Sequence, residues 1–283
     1  MIEVPPPTAP ARDGETGADE RGSPGAFAPR FDVITLFPAM FDAITSTGIS
    51  ARALQRGLWR LRCWNPREFA RDAYRRVDDR PYGGGPGMVM LAQPLVDALA
   101  AIRADHADER PRVVHLSPRG RPLDQARVEA LSDLPSLTLI ASRYEAVDQR
   151  FLDAHVDEEI AIGDFIVSGG ELPAMMLIDA LVRRLPGALN DSRSALEESF
   201  GGGLLEGPHY TRPECFEGQT VPAVLLSGHH DRIARWRREQ SLEVTAQRRP
   251  DLIARARAQG RLDAADERWL AALASPRGSP SSG

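Results

Sequence analysis

An α/β fold with a parallel sheet, followed by a small helical unit, is what the sequence predicts, on three observations. Between positions 93 and 143 the apolar pattern alternates, with 95–102 helical, 112–116 extended, 124–131 helical and 137–141 extended, as in strands joined by covering helices. Residues 158–187 repeat the unit: an apolar run through Ile160, Ile162, Phe165, Ile166 and Val167 breaks at Ser168-Gly169-Gly170 and resumes as a helical stretch over 172–182. Beyond Gly228 the extended segments stop, and Ile233, Trp236 and Leu242 recur at helical spacing among arginines.

The elements follow in order. Residues 1–29, rich in Pro, Gly, Ala and charge, lack apolar periodicity and are expected to be a disordered extension. A buried strand is expected over 30–37, then a helix opened by Pro38 and carrying Met40, Phe41 and Ile44. Ser50 is placed as the cap of a second helix containing Ala53 and Leu54, and 58–64 reads as a strand closed by Asn65-Pro66. Within 77–91, four glycines and a proline fill 83–87, so this is an exposed loop, held at its ends by Tyr82 and by Met88-Val89-Met90-Leu91. It suits a lid over ligand or RNA, and also a linker.

Two predicted strands end in polar loops, Ser117-Pro118-Arg119-Gly120-Arg121 and Ser142-Arg143-Tyr144-Glu145. Ligands of open α/β sheets gather at such carboxyl ends. The Ser168-Gly169-Gly170 turn is a third loop of this kind, with Pro173 in the first turn of its helix. Glycines there allow positive φ and close approach of a ligand. Alone, the turn fits tight packing as well as ligand binding, but three strand-end loops together suggest one pocket. Residues 189–207 read as an interdomain linker separating an α/β domain, 30–188, from a helical domain, 208–273. Asp263 caps the last helix, and 274–283 is expected to be a disordered tail.

Composition narrows the chemistry. With 42% hydrophobic and 27% charged residues, 283 residues suffice for one large or two modest globular domains. Every basic residue is an arginine, which excludes a Walker phosphate loop, a Schiff-base nucleophile and a lysine base. A net charge of −5 argues against a wholly basic nucleic-acid coat, although a local patch fits inside an acidic total. No apolar run reaches membrane length and the N-terminus lacks a signal-peptide core, so a cytoplasmic protein without a membrane partner is expected. Cys63 and Cys215 form no metal or redox motif and are expected to be free thiols. No G-x-G-x-x-G follows a strand and opens a helix, which disfavours a nicotinamide dehydrogenase.

Seven blocks are more specific: the 78–88 stretch DDRPYGGGPGM, Leu116-Ser117-Pro118, Arg143-Tyr144-Glu145, Ile162-Gly163-Asp164-Phe165, Ser168-Gly169-Gly170-Glu171-Leu172-Pro173, His209-Tyr210-Thr211-Arg212-Pro213 and Trp236-Arg237. In identity and order they resemble the signature of the bacterial tRNA (guanine-N1)-methyltransferases, of the SPOUT superfamily, over about 30–273. The resemblance implies an S-adenosyl-L-methionine-dependent enzyme that methylates N1 of guanosine 37, just 3′ of the anticodon. It also implies a deep trefoil knot in the parallel sheet, a small C-terminal all-α domain, and a homodimer whose active site draws on both chains.

Carried over, the methyl donor would lie among Leu116, Ser117, Pro118, Gly120, Arg143, Tyr144, Glu145, Ile162, Gly163, Phe165, Val167, Gly169, Gly170 and Leu172. The tRNA would be held by Tyr82, Gly85, Gly87, His209, Tyr210, Arg212, Trp236 and Arg237. Guanine N1 is protonated at neutral pH, so the reaction needs a base and a group to stabilise charge on O6; the resemblance assigns these to Glu198 and Arg183. Glu198 departs from the family's aspartate, and Glu197 or Asp191 is the alternative base. Ser142 and Ala146 replace glycines beside the Arg-Tyr-Glu block, adding bulk at the donor pocket, and His229 stands where asparagine is usual. Dependence on Mg2+ is implied too, although the sequence offers no carboxylate cage and no metal ligands are assigned. Two rival readings stay open: a knotted methyltransferase acting on another RNA base or a ribose, and an RNA-binding homologue with impaired catalysis.

Overall fold

A computed structural model describes residues 2–3, 28–106, 110–189 and 198–274. The chain divides into two compact units, Met1–Asn190 and Asp191–Gly283. The disorder expected of the extension and of the tail falls almost wholly on residues outside those described, as do residues 190–197 of the expected linker. One part of the extension is described and is ordered: β1 (Ile2–Glu3) pairs antiparallel with β3 (Arg60–Trp64).

The first unit contains a six-stranded sheet. Beside β1 and β3 it holds β2 (Arg30–Ile34), β6 (Arg112–Pro122), β7 (Ser136–Ile140) and β9 (Glu158–Ala161), in the order β1-β3-β2-β7-β6-β9. All neighbours after β1 are parallel, as the strand and helix alternation predicts. Alternate side chains serve two cores. Phe31, Val33, Val114, Leu137 and Leu139 pack under α2 (Gly48–Gln55), α4 (Gln125–Ser132) and α6 (Glu171–Val182), through Ala53, Val128, Leu131, Ala174 and Leu177. Ile34, Val113 and Ile140 face α3 (Ala92–Asp105) and α5 (Gln149–His155), through Leu95, Leu99, Ile102 and Phe151. Burial on both faces explains why these strands read as near-continuous apolar runs.

Local chemistry sets the ends of several elements. A 3-10 turn at Pro38–Phe41 leads into α1 (Asp42–Thr45). Asp124 caps α4 by accepting from the Arg127 amide, and Asp148 caps α5, which the sequence reading had missed, from the Arg150 amide. Ser50 is not a cap: it is buried inside α2, its hydroxyl bonds Asp179, and its carbonyl accepts from Trp59 Nε1 at 2.8 Å. A three-stranded sheet of β4 (Asp78–Asp79), β5 (Val89–Met90) and β8 (Ala146–Val147) closes both ends of the glycine-rich loop, so the loop is anchored as expected.

Two segments depart from the reading. The polar loop expected at 117–121 belongs to β6, whose Leu116 and Arg121 both oppose Ile160 of β9, so residues 117–120 bulge out of the ladder. The strand expected through Phe165-Ile166-Val167 ends at Ala161 instead. Phe165 and Ile166 then lie in a connecting loop, 54% and 79% exposed.

The second unit is mostly helical, with a short α7 (Ala223–Leu226) followed by α8 (His230–Arg248), α9 (Pro250–Ala258) and α10 (Ala264–Ala274), the last three packed around Leu204, Leu242, Ile253, Ala256 and Leu270. It also carries a hairpin, β10 (Cys215–Phe216) and β11 (Gln219–Thr220), so it is not purely helical. The turn residues Glu217 and Gly218 have φ of 50° and 78°, the left-handed pair that a two-residue hairpin needs. Glu-Gly is a weaker signal for it than Asn-Gly.

Both cysteines are free, Cys63 buried and Cys215 exposed. Burial, with Asp32 and Asp42 nearby, pushes the Cys63 thiol up to about 12, so little thiolate exists there at neutral pH. A thiol reagent on the native protein should therefore modify Cys215 alone, with the second thiol appearing only after denaturation.

Candidate active site

The bulge of β6 and the carboxyl ends of β7 and β9 open into a cavity of about 1250 Å³. Its apolar lining includes Met90, Leu116, Val147, Ile160, Ile162, Phe165, Ile166 and Val167. Asp79, Arg80, Arg119, Glu145, Asp148 and Arg150 supply charges of both signs. Of the residues expected at the methyl donor, Leu116, Ser117, Pro118, Tyr144, Glu145, Ile162, Gly163, Phe165, Val167, Gly169 and Gly170 line it, and so does Tyr82, expected at the tRNA.

Three expected donor residues are not in the lining. Gly120 packs backbone to backbone: a Cβ there would lie 2.3 Å from Ile160 N and 2.4 Å from the Glu159 carbonyl carbon. Leu172 turns outward from α6, 48% exposed. Arg143 is drawn beneath the loops, where its Nε donates to Glu171 Oε2 at 2.8 Å and its Nη1 to the Ser168 carbonyl at 3.2 Å. Its guanidinium also lies 4.5 Å from the Phe37 ring centroid. Glu171 is 0% exposed, and its other oxygen accepts from Thr35 Oγ1 at 3.0 Å.

The glycines act by close approach. Gly170 has φ −76°, so positive φ is not its purpose. A Cβ on it would lie 2.7 Å from Ala141 Cα and 2.9 Å from the Ser142 amide nitrogen, and its own N–H donates to the Ser142 carbonyl at 2.8 Å. At Gly169 a Cβ would meet Arg143 Nε at 2.2 Å. The left-handed backbone belongs instead to Tyr144, φ 65°. Burial and the neighbouring Asp78 raise the Tyr144 phenol above its usual range, and its oxygen accepts from Arg67 at 3.2 Å. In the glycine-rich loop, Gly85 and Gly87 have φ of 131° and 74°, and Gly87 makes room for the Glu145 side chain.

Residues that the sequence reading gave no role also reach the cavity, among them His115, Gln149 and Arg150, and so does Arg119 of the expected polar loop. His115 sits one residue before the Leu-Ser-Pro block, a signal that could have found it. It is buried, with Nδ1 2.9 Å from Glu159 Oε1 and Nε2 2.9 Å from Ser142 Oγ. Burial holds its pKa below the usual value despite Glu159.

Arg183 and Glu198 lie in different units. Arg183 ends α6 as its C-cap, eleven residues after Leu172 and so on nearly the same helix face as Leu172 and Met176, which are 48% and 56% exposed. Glu198 is partly buried in a turn, its carbonyl accepting from the Gly201 amide at 3.1 Å. The alternatives Asp191 and Glu197 are outside the described residues.

In the second unit, Tyr210 and Trp236 pair with ring centroids 6.2 Å apart, and His209 bonds Glu206 at 2.8 Å. Arg212 and Arg237 are exposed, as are Arg232 and Arg248. Other arginines of this basic stretch are used internally: Arg235 and Arg238 both pair with Asp266, which is 2% exposed. Fewer of these arginines are thus free of internal partners than their number suggests. His229 precedes α8 without a side-chain cap, a contact that asparagine commonly supplies.

Among the described residues no group of three or more His, Cys, Asp or Glu side chains could hold a metal, and no helix is long and apolar enough to cross a membrane. The Gly170 geometry gives a direct expectation. Gly170→Ala should lower unfolding stability by about 1–3 kcal/mol in denaturant titration. Gly202→Ala, where a Cβ meets nothing within 4 Å, should change it by less than about 0.5 kcal/mol.

The sequence profile of the family described as tRNA (Guanine-1)-methyltransferase TrmD matches residues 29–255. The chain is 58% identical over 252 residues to the tRNA (guanine-N(1)-)-methyltransferase of Cupriavidus metallidurans, covering 88% of this chain and 97% of that protein. It is likewise 58% identical over 250 residues to the protein of the same name from Burkholderia mallei, covering 87% of this chain and 95% of that one.

Proposed function

The chain belongs to the tRNA (guanine-1)-methyltransferase family, and on that premise we propose that it methylates N1 of guanosine 37 in tRNA with S-adenosyl-L-methionine as the methyl donor. The observation that carries the donor assignment is the cavity of about 1250 Å³, whose walls come from the β6 bulge and the loops after β7 and β9. It is large enough for a nucleoside of this size, and mixed apolar and backbone lining is what such a ligand needs. When bound, the donor supplies an electrophilic methyl on a sulfonium, which needs exclusion of water more than a counter-charge.

This chain's residues have separate tasks. Glu198 takes the proton from guanine N1, leaving the nitrogen lone pair free to attack the methyl carbon as the carbon–sulfur bond breaks. Arg183 stabilises the negative charge that this places on O6. Glutamate at 198 keeps the carboxylate with one more methylene of reach. Tyr82, Tyr210, Arg212, Trp236 and Arg237 hold the tRNA, through stacking on the aromatic rings and contact with phosphates. A Mg2+ ion would find no side-chain cage among the described residues and would rely on water and RNA oxygens.

The knot and the dimer belong to this reading. Exposed Phe37, Leu172 and Met176 support a homodimer that covers this apolar face and brings Arg183 to the interface. The protein would work in the cytoplasm, where its tRNA substrate is.

A methylation assay on unmodified tRNA transcript tests the reading. Wild type should produce a primer-extension stop at position 37. Arg183→Ala should lower kcat by about two to three orders of magnitude and Glu198→Ala by about two to four, both with unchanged donor Kd. Glu198→Asp should restore most of the activity. A stop elsewhere, or near-normal turnover in both alanine variants, would contradict it.

A further inference from the structure

Ser142, one of the positions where this chain departs from its family's glycines, is joined to two residues from other strands. Its Oγ lies 2.9 Å from His115 Nε2, and His115 Nδ1 lies 2.9 Å from Glu159 Oε1. His115 is on β6, Glu159 on β9, and Ser142 follows β7. His115 and Ser142 both line the cavity.

The direction of these hydrogen bonds follows from chemistry. An ionised carboxylate only accepts, so Nδ1 carries the proton of the neutral ring and Nε2 is left as an acceptor. Burial, which holds the His115 pKa down, favours that neutral ring. The Ser142 hydroxyl must then donate its single proton to Nε2. Toward the cavity Ser142 Oγ presents only lone pairs, and its own carbonyl is already engaged by the Gly170 amide.

We propose that the Glu159–His115–Ser142 relay is a donor-recognition device, fixing Ser142 Oγ as an acceptor that selects an amino group of the bound methyl donor. This rests on the cavity being the donor site. The amino group is either that of the adenine or the α-amino group of the amino-acid part. Ser142 is the binding residue, and His115 and Glu159 are positioning residues. A ligand offering an acceptor at that point is rejected, because the hydroxyl has no second proton to give.

Calorimetric titration without catalysis tests this, using S-adenosylhomocysteine, its hypoxanthine analogue, whose base carries a keto group instead of the amino group, and its α-deaminated analogue. Wild type should bind one of the two analogues about ten-fold more weakly than S-adenosylhomocysteine, and which one identifies the amino group. Ser142→Ala, with its thermal midpoint retained, should lose that preference, binding S-adenosylhomocysteine about ten-fold more weakly and the disfavoured analogue as wild type does. His115→Phe should also narrow the preference, because the freed hydroxyl can then donate. If Ser142→Ala keeps the wild-type ratios for all three compounds, the relay has no recognition role and the proposal fails. If wild type binds none of them, the donor assignment itself fails.

Discussion

The loops of the candidate active site hang on one buried charge. Glu171 opens α6 with no solvent exposure, and it is held by the Arg143 guanidinium at 2.8 Å and the Thr35 hydroxyl at 3.0 Å. A buried carboxylate without such partners costs several kcal/mol, so the end of β2, the loop after β7 and the start of α6 must come together for the fold to form. The helix N-terminus adds favourable partial charge. Arg143 then reaches across Gly169 to the Ser168 carbonyl, so the wall of the cavity and its support are the same connected piece.

This arrangement separates what could be read in the sequence from what could not. Strand and helix alternation is a local property, and it correctly placed β2, β3, β7, α3, α4 and α6. The rule for open parallel sheets pointed to the loops after β7 and β9, while the third expected loop is a bulge within β6; most residues named for the donor do line the cavity. The pairing of Thr35 with Glu171 spans 136 residues, and no periodicity encodes it. Arg143 looked like a ligand contact because it sits in a motif, yet its charge is spent on the buried carboxylate. Of the readings open for the Ser168-Gly169-Gly170 turn, positive φ does not apply to Gly170 and tight packing does: Gly169 and Gly170, like Gly120, have no Cβ where backbone or guanidinium passes.

Similar reasoning applies to exposure. Phe165 and Ile166 read as buried strand residues because they are apolar, but β9 ends at Ala161 and they line the cavity from a loop. In the second unit, not every arginine of the dense stretch is a solvated charge, since the buried Asp266 engages Arg235 and Arg238. The two positions where the resemblance implies glycine also acquire distinct meanings. Ala146 sits in β8 and pairs with Val89, so a side chain is accommodated there, while Ser142 completes the bonding of a buried histidine.

A double-mutant cycle between Arg143 and Glu171 tests most directly whether this buried pair supports the site. Unfolding free energy would be measured for Arg143→Met, Glu171→Met and the double variant. Each single change should cost about 3–5 kcal/mol by leaving its partner's charge buried and unpaired. The double variant should cost clearly less than the sum of the two. Costs that add to within about 0.5 kcal/mol would contradict the account.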